Sequence, residues 1–212
     1  MDANVMVQAA QTAGAKYGYD TVEAEIVGYA DFKLRWKRSY RWIQFSVSDY
    51  LLDIDDADAE PFFDSIFRKI NGIPSSYPEG VIRTLTAPEF SQRHAQTFVC
   101  RHRTMRNDDG RVKAVYDRLT AKGLTEGEMP TLVISNANTS SPGVSSILMK
   151  VIALNEKLFD ESEEVQEIAL FVLLWHMNHS VFGSSNEHLW DDLSAKMGSG
   201  YIEPMLQAGY KF

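Results

Sequence analysis

The sequence has 212 residues, a net charge of −8, and 44% hydrophobic and 24% charged residues, which excludes a disordered chain and allows one sizeable hydrophobic core. Because the longest apolar run, 168–175, is too short to span a bilayer and no leader-like segment opens the chain, we expect a soluble protein without a membrane segment. The single cysteine, Cys100, excludes an intrachain disulfide, so we expect a cytoplasmic location, and the acidic balance argues against broad capture of nucleic acid.

The first predicted elements are an N-terminal arm and a hairpin. Residues 1–18 are small and polar, and they predict a flexible or helical arm. Phe32, Leu34 and Trp36 alternate with basic residues, and the period of two returns at 43–47 after a turn, so both segments predict half-buried strands. We expect the hairpin to direct its aromatic and aliphatic side chains to the core and to leave its basic side chains in solvent.

A helical region is predicted next, as an insertion at about 57–122. The acidic residues from Asp53 to Glu60 mark a helix start, where the helix dipole favours negative charge, whereas a calcium loop would need a different spacing and a central glycine. Two more helices are expected near 86–105 and 112–122. Within this region we expect Cys100 to be a buried thiol, and His94 and His102 to be ordinary surface or helix-end residues.

Two strands near 131–135 and 147–154 follow, and then a helix at 161–182 with an acidic first turn. This order of elements predicts an α+β fold. We expect one small mixed sheet, made of the hairpin and these two strands, to pack against helix 161–182 in a single domain that spans 19–212. Further helices are expected from about 186 and from about 201.

Three of the five histidines, His176, His179 and His188, fall close together in the sequence. The first two are three residues apart on the predicted helix, so their side chains point within about 60° of each other. Three imidazoles with an open fourth position are a ligand set for catalytic zinc. The alternative is that His176 and His179 are core or surface histidines at the end of an apolar helix.

The segment 171–183, an apolar run that continues into Trp175-His-Met-Asn-His179, resembles the active-site helix of the minimal zincin peptidases of the SprT and YgjP type. Within that group it is most similar to an uncharacterised prokaryotic family with an H-E-x-x-H helix and a further histidine ligand. The segments 31–39, 47–51 and 146–152 resemble that family too, so the similarity covers most of 20–210. The resemblance implies a zincin-like fold, zinc as cofactor, and descent from a metal-dependent peptidase.

The match to the zincin motif is incomplete. His176 lies at the position of the first histidine ligand and His188 at that of the downstream ligand. Met177, however, occupies the position of the catalytic glutamate, and Ser180 that of the second histidine. Because methionine cannot take a proton from metal-bound water, the resemblance implies an impaired or inactive enzyme.

Other residues offer replacements for the missing groups. His179 could supply the second imidazole one helix position earlier, and Glu187 is a candidate base, with Asp191 and Asp192 as further carboxylates. We therefore predict metal binding by the three histidines and leave the catalytic residues unassigned.

Two further functions remain open. The scaffold could bind an extended peptide, added as a strand beside helix 161–182, without catalysis. The hairpin could bind nucleic acid, because cations interleaved with aromatic residues can hold phosphates and stack bases. Against this, the alternation places Trp36 in the core, and an acidic chain needs local charge asymmetry to bind a polyanion. The basic residues of the hairpin are Lys33, Arg35, Lys37, Arg38 and Arg41.

Overall fold

The computed structural model describes residues 1–179 and Ala195, and the chain divides into two compact units, Met1–His94 (unit 1) and Ala95–Phe212 (unit 2). Among the described residues each unit contains one mixed β-sheet with helices, which confirms the predicted α+β class. The zincin-like assignment and the single domain at 19–212 stay predictions. In the same residues, no helix is both long and apolar enough to cross a membrane.

Unit 1 is built on three strands. Its elements are α1 (Ala3–Lys16), β1 (Thr21–Val27), β2 (Leu34–Ser39), β3 (Trp42–Ser48), α2 (Asp56–Ile70) and α3 (Glu79–Thr86). A further helix, α4 (Pro88–Arg101), begins in this unit and ends in unit 2. The strand order is β1–β3–β2, in which β1 runs parallel to β3, and β2 and β3 form the predicted hairpin.

The core of unit 1 lies between β3 and α2. Ile43, Phe45 and Val47 are buried, as their alternation predicts. The ring of Phe45 meets Phe67 edge-on, with 5.3 Å between centroids, and lies 5.4 Å from Phe63. Rings packed in this way contribute about 0.5–1.5 kcal/mol per pair beyond the apolar area that they bury. The aromatic face of α2 therefore holds the sheet in place.

The N-terminal segment, predicted as a flexible or helical arm, contains the helix α1 and is part of this core. α1 packs on α2 and β1, and Met6 and Ala10 are fully buried. Gly14 permits the close approach, because a Cβ atom there would lie 2.5 Å from Val22 Cγ2 and 2.9 Å from Phe67 Cζ. The small residues that made the segment look poorly ordered are those that let the helix pack closely.

The outer strand β2 is exposed on both faces. Trp36 pairs in register with Phe45, and Arg38 with Ile43, so both lie on the face of the sheet that carries the buried residues of β3. Trp36 is nevertheless 49% exposed, and the prediction that it belongs to the core is wrong. The physical reason is that α1 packs on β1 and the rings of α2 pack on β3, while β2 lies at the outer edge. Leu34 is partly buried.

Unit 2 is built on four described strands. Its elements after α4 are β4 (Met105–Asn107), α5 (Arg111–Ala121), β5 (Thr131–Ser135), β6 (Gly143–Ser146), β7 (Val151–Asn155) and α6 (Glu163–His179). The strand order is β4–β5–β7–β6, in which β5 and β7 are parallel and both outer strands are antiparallel to their neighbours. β5, β7 and β6 thus repeat the arrangement of β1, β3 and β2, because the third strand in sequence lies between the first two.

The predicted single sheet is wrong, because the hairpin belongs to unit 1 and the later strands to unit 2. The predicted turn between β5 and β7 contains β6, and the predicted helical insertion contains β4. A third strand that the sequence analysis did not predict, β1, has seven residues, whereas β4 and β6 are outer strands of three or four residues. A segment of that length is too short to show a period of two.

Two predictions about single residues in the helical region are also corrected. Cys100 is exposed, whereas a buried thiol was expected. His94 is largely buried against Phe90, and its Nε2 lies 2.7 Å from Oδ2 of Asp53, so it is a packed partner of a carboxylate and not a surface residue. His102 lies just beyond the end of α4, in agreement with the prediction.

Candidate functional site

The predicted active-site helix is α6, and it forms the centre of unit 2. Its first turn carries Glu163 and Glu164, as the sequence predicts. Between Val165 and Trp175 every residue except Gln166 is buried, and the helix packs against α5, β6 and β7. A helix that is apolar on all sides along its middle is a buried element, so only its two ends reach the surface: the first turn with Glu163 and Glu164, and the last turn with the histidines.

His176 lies half-buried in that last turn. Its imidazole meets the ring of Trp175 edge-on, with 5.5 Å between centroids. Burial lowers the pKa of His176 below its ordinary value, so the ring is neutral at pH 7. A neutral imidazole is the form that binds a metal ion, and His176 therefore fits the role of first ligand.

His179 lies about one turn further along and is positioned by Trp175. The two rings stack at 4.8 Å with 16° between their planes, and Nδ1 of His179 lies 3.1 Å from the carbonyl oxygen of Trp175. When Nδ1–H donates to a carbonyl, Nε2 is the nitrogen that can bind a metal. This Nε2 lies 3.9 Å from Oε2 of Glu126. The orientation fits a second ligand, with a carboxylate nearby.

The other residues predicted for the site are either buried or outside the described part of the chain. Met177 is buried at the position of the zincin glutamate. In residues 1–179, no group of three or more histidine, cysteine, aspartate or glutamate side chains is close enough to hold a metal ion. The described part thus contains two of the three predicted ligands. Those outside it are Ser180, Glu187, His188, Asp191 and Asp192, together with the helices expected from about 186 and 201.

A small cleft lies beside His179, between α6 and the segment that follows α5. Nδ2 of Asn178 donates to the carbonyl oxygen of Glu126 at 3.3 Å. The lining combines apolar side chains with one imidazole and one carboxylate. The residues that line it are Leu124, Glu126, Phe171, Leu174, Trp175, Asn178 and His179.

The outer strand β6 runs alongside α6. A Cβ atom on Gly143 would lie 2.8 Å from Cδ1 of Leu173 and closer still to the carbonyl oxygen of Ala153, so glycine allows the strand to lie against the helix. Val144, the next residue, is 47% exposed. Leu173 precedes His176 by three residues, so β6 and His176 lie on the same side of α6. His176 therefore lies just beyond the part of α6 that packs against β6.

Asn155, which the sequence analysis missed, organises the loop that leads into β6. It is buried at the end of β7, and its Nδ2 lies 3.2 Å, 3.4 Å and 3.2 Å from the carbonyl oxygens of Ala137, Thr139 and Ser141. Its Oδ1 accepts the backbone N–H of Lys157 at 3.1 Å. One side chain thus fixes the loop before β6. The sequence feature that could have revealed Asn155 is its position directly after the apolar run 151–154.

Glu167 is a second missed residue, a carboxylate that is only 4% exposed within α6. Nε of Arg118 donates to its Oε1 at 2.9 Å, and Nζ of Lys122 pairs with its Oε2. Arg118 also donates to Oε1 of Gln166 at 3.1 Å. Two cations from α5 and its C-terminal end therefore neutralise the buried charge and hold α5 to α6. The sequence feature that could have revealed Glu167 is a single acidic residue in an otherwise apolar segment.

The basic residues of the hairpin lie in unit 1, whereas the histidines described above lie in unit 2. All five are exposed, as the sequence predicts, although Arg38 lies on the inner face of β2. Their positions are Lys33 before β2, Arg35, Lys37 and Arg38 within it, and Arg41 in the turn that follows.

Comparisons of this chain with models of protein families, with curated proteins and with solved structures find no match. The resemblance to zincin peptidases therefore rests on the sequence segments given above.

Proposed function

We propose that the protein derives from metal-dependent peptidases of the zincin type and binds zinc at the end of α6 with little or no peptidase activity. The observation that supports this most is the pair of imidazoles in one helical turn. His176 is neutral because of burial, and His179 is oriented by a backbone carbonyl. Both features are typical of zinc ligands. The proposal takes His188 as the third ligand.

Peptidase activity is expected to be low because α6 lacks the glutamate that acts as the catalytic base in zincins. Zinc in such a site polarises a carbonyl and lowers the pKa of water. Met177 has no group that can accept a proton, and a positioned acid–base group contributes about 10²–10⁴-fold to a rate. If hydrolysis is measurable, Glu187 is the first residue to replace by glutamine, because it is the candidate substitute.

The zinc content of the full-length protein tests this proposal. After exposure to zinc and exhaustive dialysis we expect about one zinc ion per chain, and little zinc in His176→Ala or His188→Ala, because each removes one of three ligands. Elemental analysis by mass spectrometry measures the content, and circular dichroism checks that each variant is folded.

His102→Ala is the matched control, because it removes an imidazole of the same unit that is not one of the three predicted ligands, and it should leave the zinc content unchanged. A parent protein without retained zinc would refute metal binding. Equal zinc in the parent and in His176→Ala would refute this site.

Non-catalytic binding of an extended peptide along β6 is a second candidate. Three observations favour it: β6 is an outer strand of the described sheet of unit 2, Val144 is exposed on it, and Gly143 allows it to lie against α6. An outer strand offers a row of backbone donors and acceptors to which an extended peptide can add. This function does not require a metal.

Binding of fluorescein-labelled β-casein, an unfolded protein with extended segments, tests the second candidate by fluorescence anisotropy. We expect Val144→Lys to weaken binding about 10-fold or more, because a lysine on an outer strand opposes strand addition. Met129→Lys places the same charge at another exposed position of unit 2 and should have little effect. Binding that survives in Val144→Lys, or that is lost with a chelator, would exclude metal-independent addition at β6.

A further inference from the structure

The surface formed by residues 33–41, termed here the β2 ledge, carries an unusual combination of exposed groups. β2 is the outer strand of its sheet, and five of its six residues are exposed. A strand at a sheet edge with one covered face would alternate between buried and exposed residues. The ledge does not, because its inner-face residues Trp36 and Arg38 extend past the helices that cover β1 and β3. Both faces of the strand are therefore available to a ligand.

The charge of the ledge is strongly asymmetric. Residues 33–41 contain five cations and no acidic residue, so the rest of the chain carries a net charge of −13. Among the described residues, Lys33, Lys37 and Arg38 form no ion pair. Arg41 pairs with Asp20 at 2.5 Å. The overall charge of −8 argues against binding of a polyanion by the chain as a whole. Residues 33–41 nevertheless form a local cationic surface.

Two aromatic side chains lie beside these cations in the sequence, and Lys37 is on the opposite face of β2 from Trp36. Trp36 is 49% exposed on one face of β2, and Tyr40 in the hairpin turn is 96% exposed with a positive φ of 44°. Arg38 is two residues from Trp36 on the same face, about 7 Å along the strand. Lysine or arginine alone on an outer strand is explained by protection of the edge against other strands. That explanation does not account for an exposed tryptophan and tyrosine.

We propose that the β2 ledge binds single-stranded nucleic acid, with phosphates held by Lys33, Lys37 and Arg38 and bases stacked on Trp36 and Tyr40. Unpaired cations with interspersed exposed rings are what such a ligand requires, because each base offers an aromatic face and each phosphate a charge. An acidic peptide would use the cations but not the rings. The proposal rests on unit 1 alone, so it does not depend on the zinc site.

Fluorescence anisotropy with a labelled thymidine oligonucleotide of about 20 residues, at about 50 and 200 mM NaCl, tests this with the full-length protein. We expect Trp36→Ala to weaken binding about 10-fold, and Trp36→Phe to retain most of it, because stacking on one ring contributes on that scale. Lys37→Gln/Arg38→Gln should reduce the slope of log K against log salt by about 1.4, since each phosphate contact contributes about 0.7 for a single strand.

Lys16→Gln/Lys69→Gln is the matched control. It removes two charges of the same unit that lie outside residues 33–41, so a loss of affinity through net charge alone would appear there as well. A dissociation constant for the parent above about 100 μM at low salt would overturn the proposal, since even non-specific binding is usually tighter. Equal effects of both double variants would overturn it too. Tighter binding of polyglutamate or of anionic lipid vesicles, with no effect of Trp36→Ala, would assign the surface to those ligands instead.

Discussion

Replacement of Arg118 by methionine is expected to lower the free energy of unfolding by about 3 kcal/mol, because removing one partner of a buried ion pair typically costs about 3–5 kcal/mol. Glu167 remains 4% exposed in α6 with Lys122 as its other partner, so the loss should lie at the lower end of that range. Urea titration followed by circular dichroism measures the change.

Two further variants separate loss of charge pairing from loss of packing. Arg118→Met/Glu167→Leu should recover most of the stability, because replacing both members of a buried pair by apolar side chains is often neutral or stabilising. Lys122→Met should cost less than Arg118→Met, since the Lys122 side chain is more than half exposed. A loss below about 1 kcal/mol in Arg118→Met would mean that solvent or Lys122 compensates Glu167, contrary to this account.

The second large effect is expected for Asn155→Asp, which should lower the free energy of unfolding by about 3 kcal/mol, since each buried polar group left without a partner costs about 1–3 kcal/mol. Aspartate has nearly the same shape as asparagine, so no cavity forms. It replaces an N–H donor by an oxygen that faces the carbonyls of Ala137, Thr139 and Ser141. The acceptor for Lys157 is retained.

Asn138→Asp is the control for this prediction, because the same substitution falls in the same loop at an exposed position. For Asn138→Asp we expect the free energy of unfolding to change by no more than about 0.5 kcal/mol, as is usual for surface substitutions. Because Asn155 fixes the loop before β6, hydrogen exchange of residues 137–146 should also become faster in Asn155→Asp. Unchanged exchange with reduced stability would show that the loop keeps its structure without the amide.

Much of the local structure could be predicted from the sequence. A local sequence pattern predicts each of three features: the acidic start of α2, the helix α5 before Gly123, and the alternation in β3. The assembly of strands into two sheets was not predictable in the same way. β1 pairs directly with β3, although β2 lies between them in the sequence. No local pattern specifies a parallel pairing between strands that distant in sequence.

The candidate site was predictable only where it follows helical spacing. His176 and His179 lie three apart on an apolar helix, and that spacing alone places both in one turn. Glu167 and Asn155 were missed because their partners come from distant segments, α5 in one case and the loop before β6 in the other. Trp36 was assigned to the core because alternation identifies a face of a strand but not the helices that cover it.

The strand order shared by the two sheets has a consequence for synthesis of the chain. In both sets of three strands the strand made last occupies the middle, and in unit 1 the first strand, β1, has no partner until β3 emerges, whereas β5 in unit 2 can already pair with β4. In unit 1, β3 ends 21 residues after β1, from Val27 to Ser48. At about 5–20 residues per second, β1 waits roughly one to four seconds, whereas the β2–β3 hairpin closes in about 1–10 μs once complete. α1, which is made before β1 and packs on it, is the element that can shield its apolar face from other nascent chains during that interval.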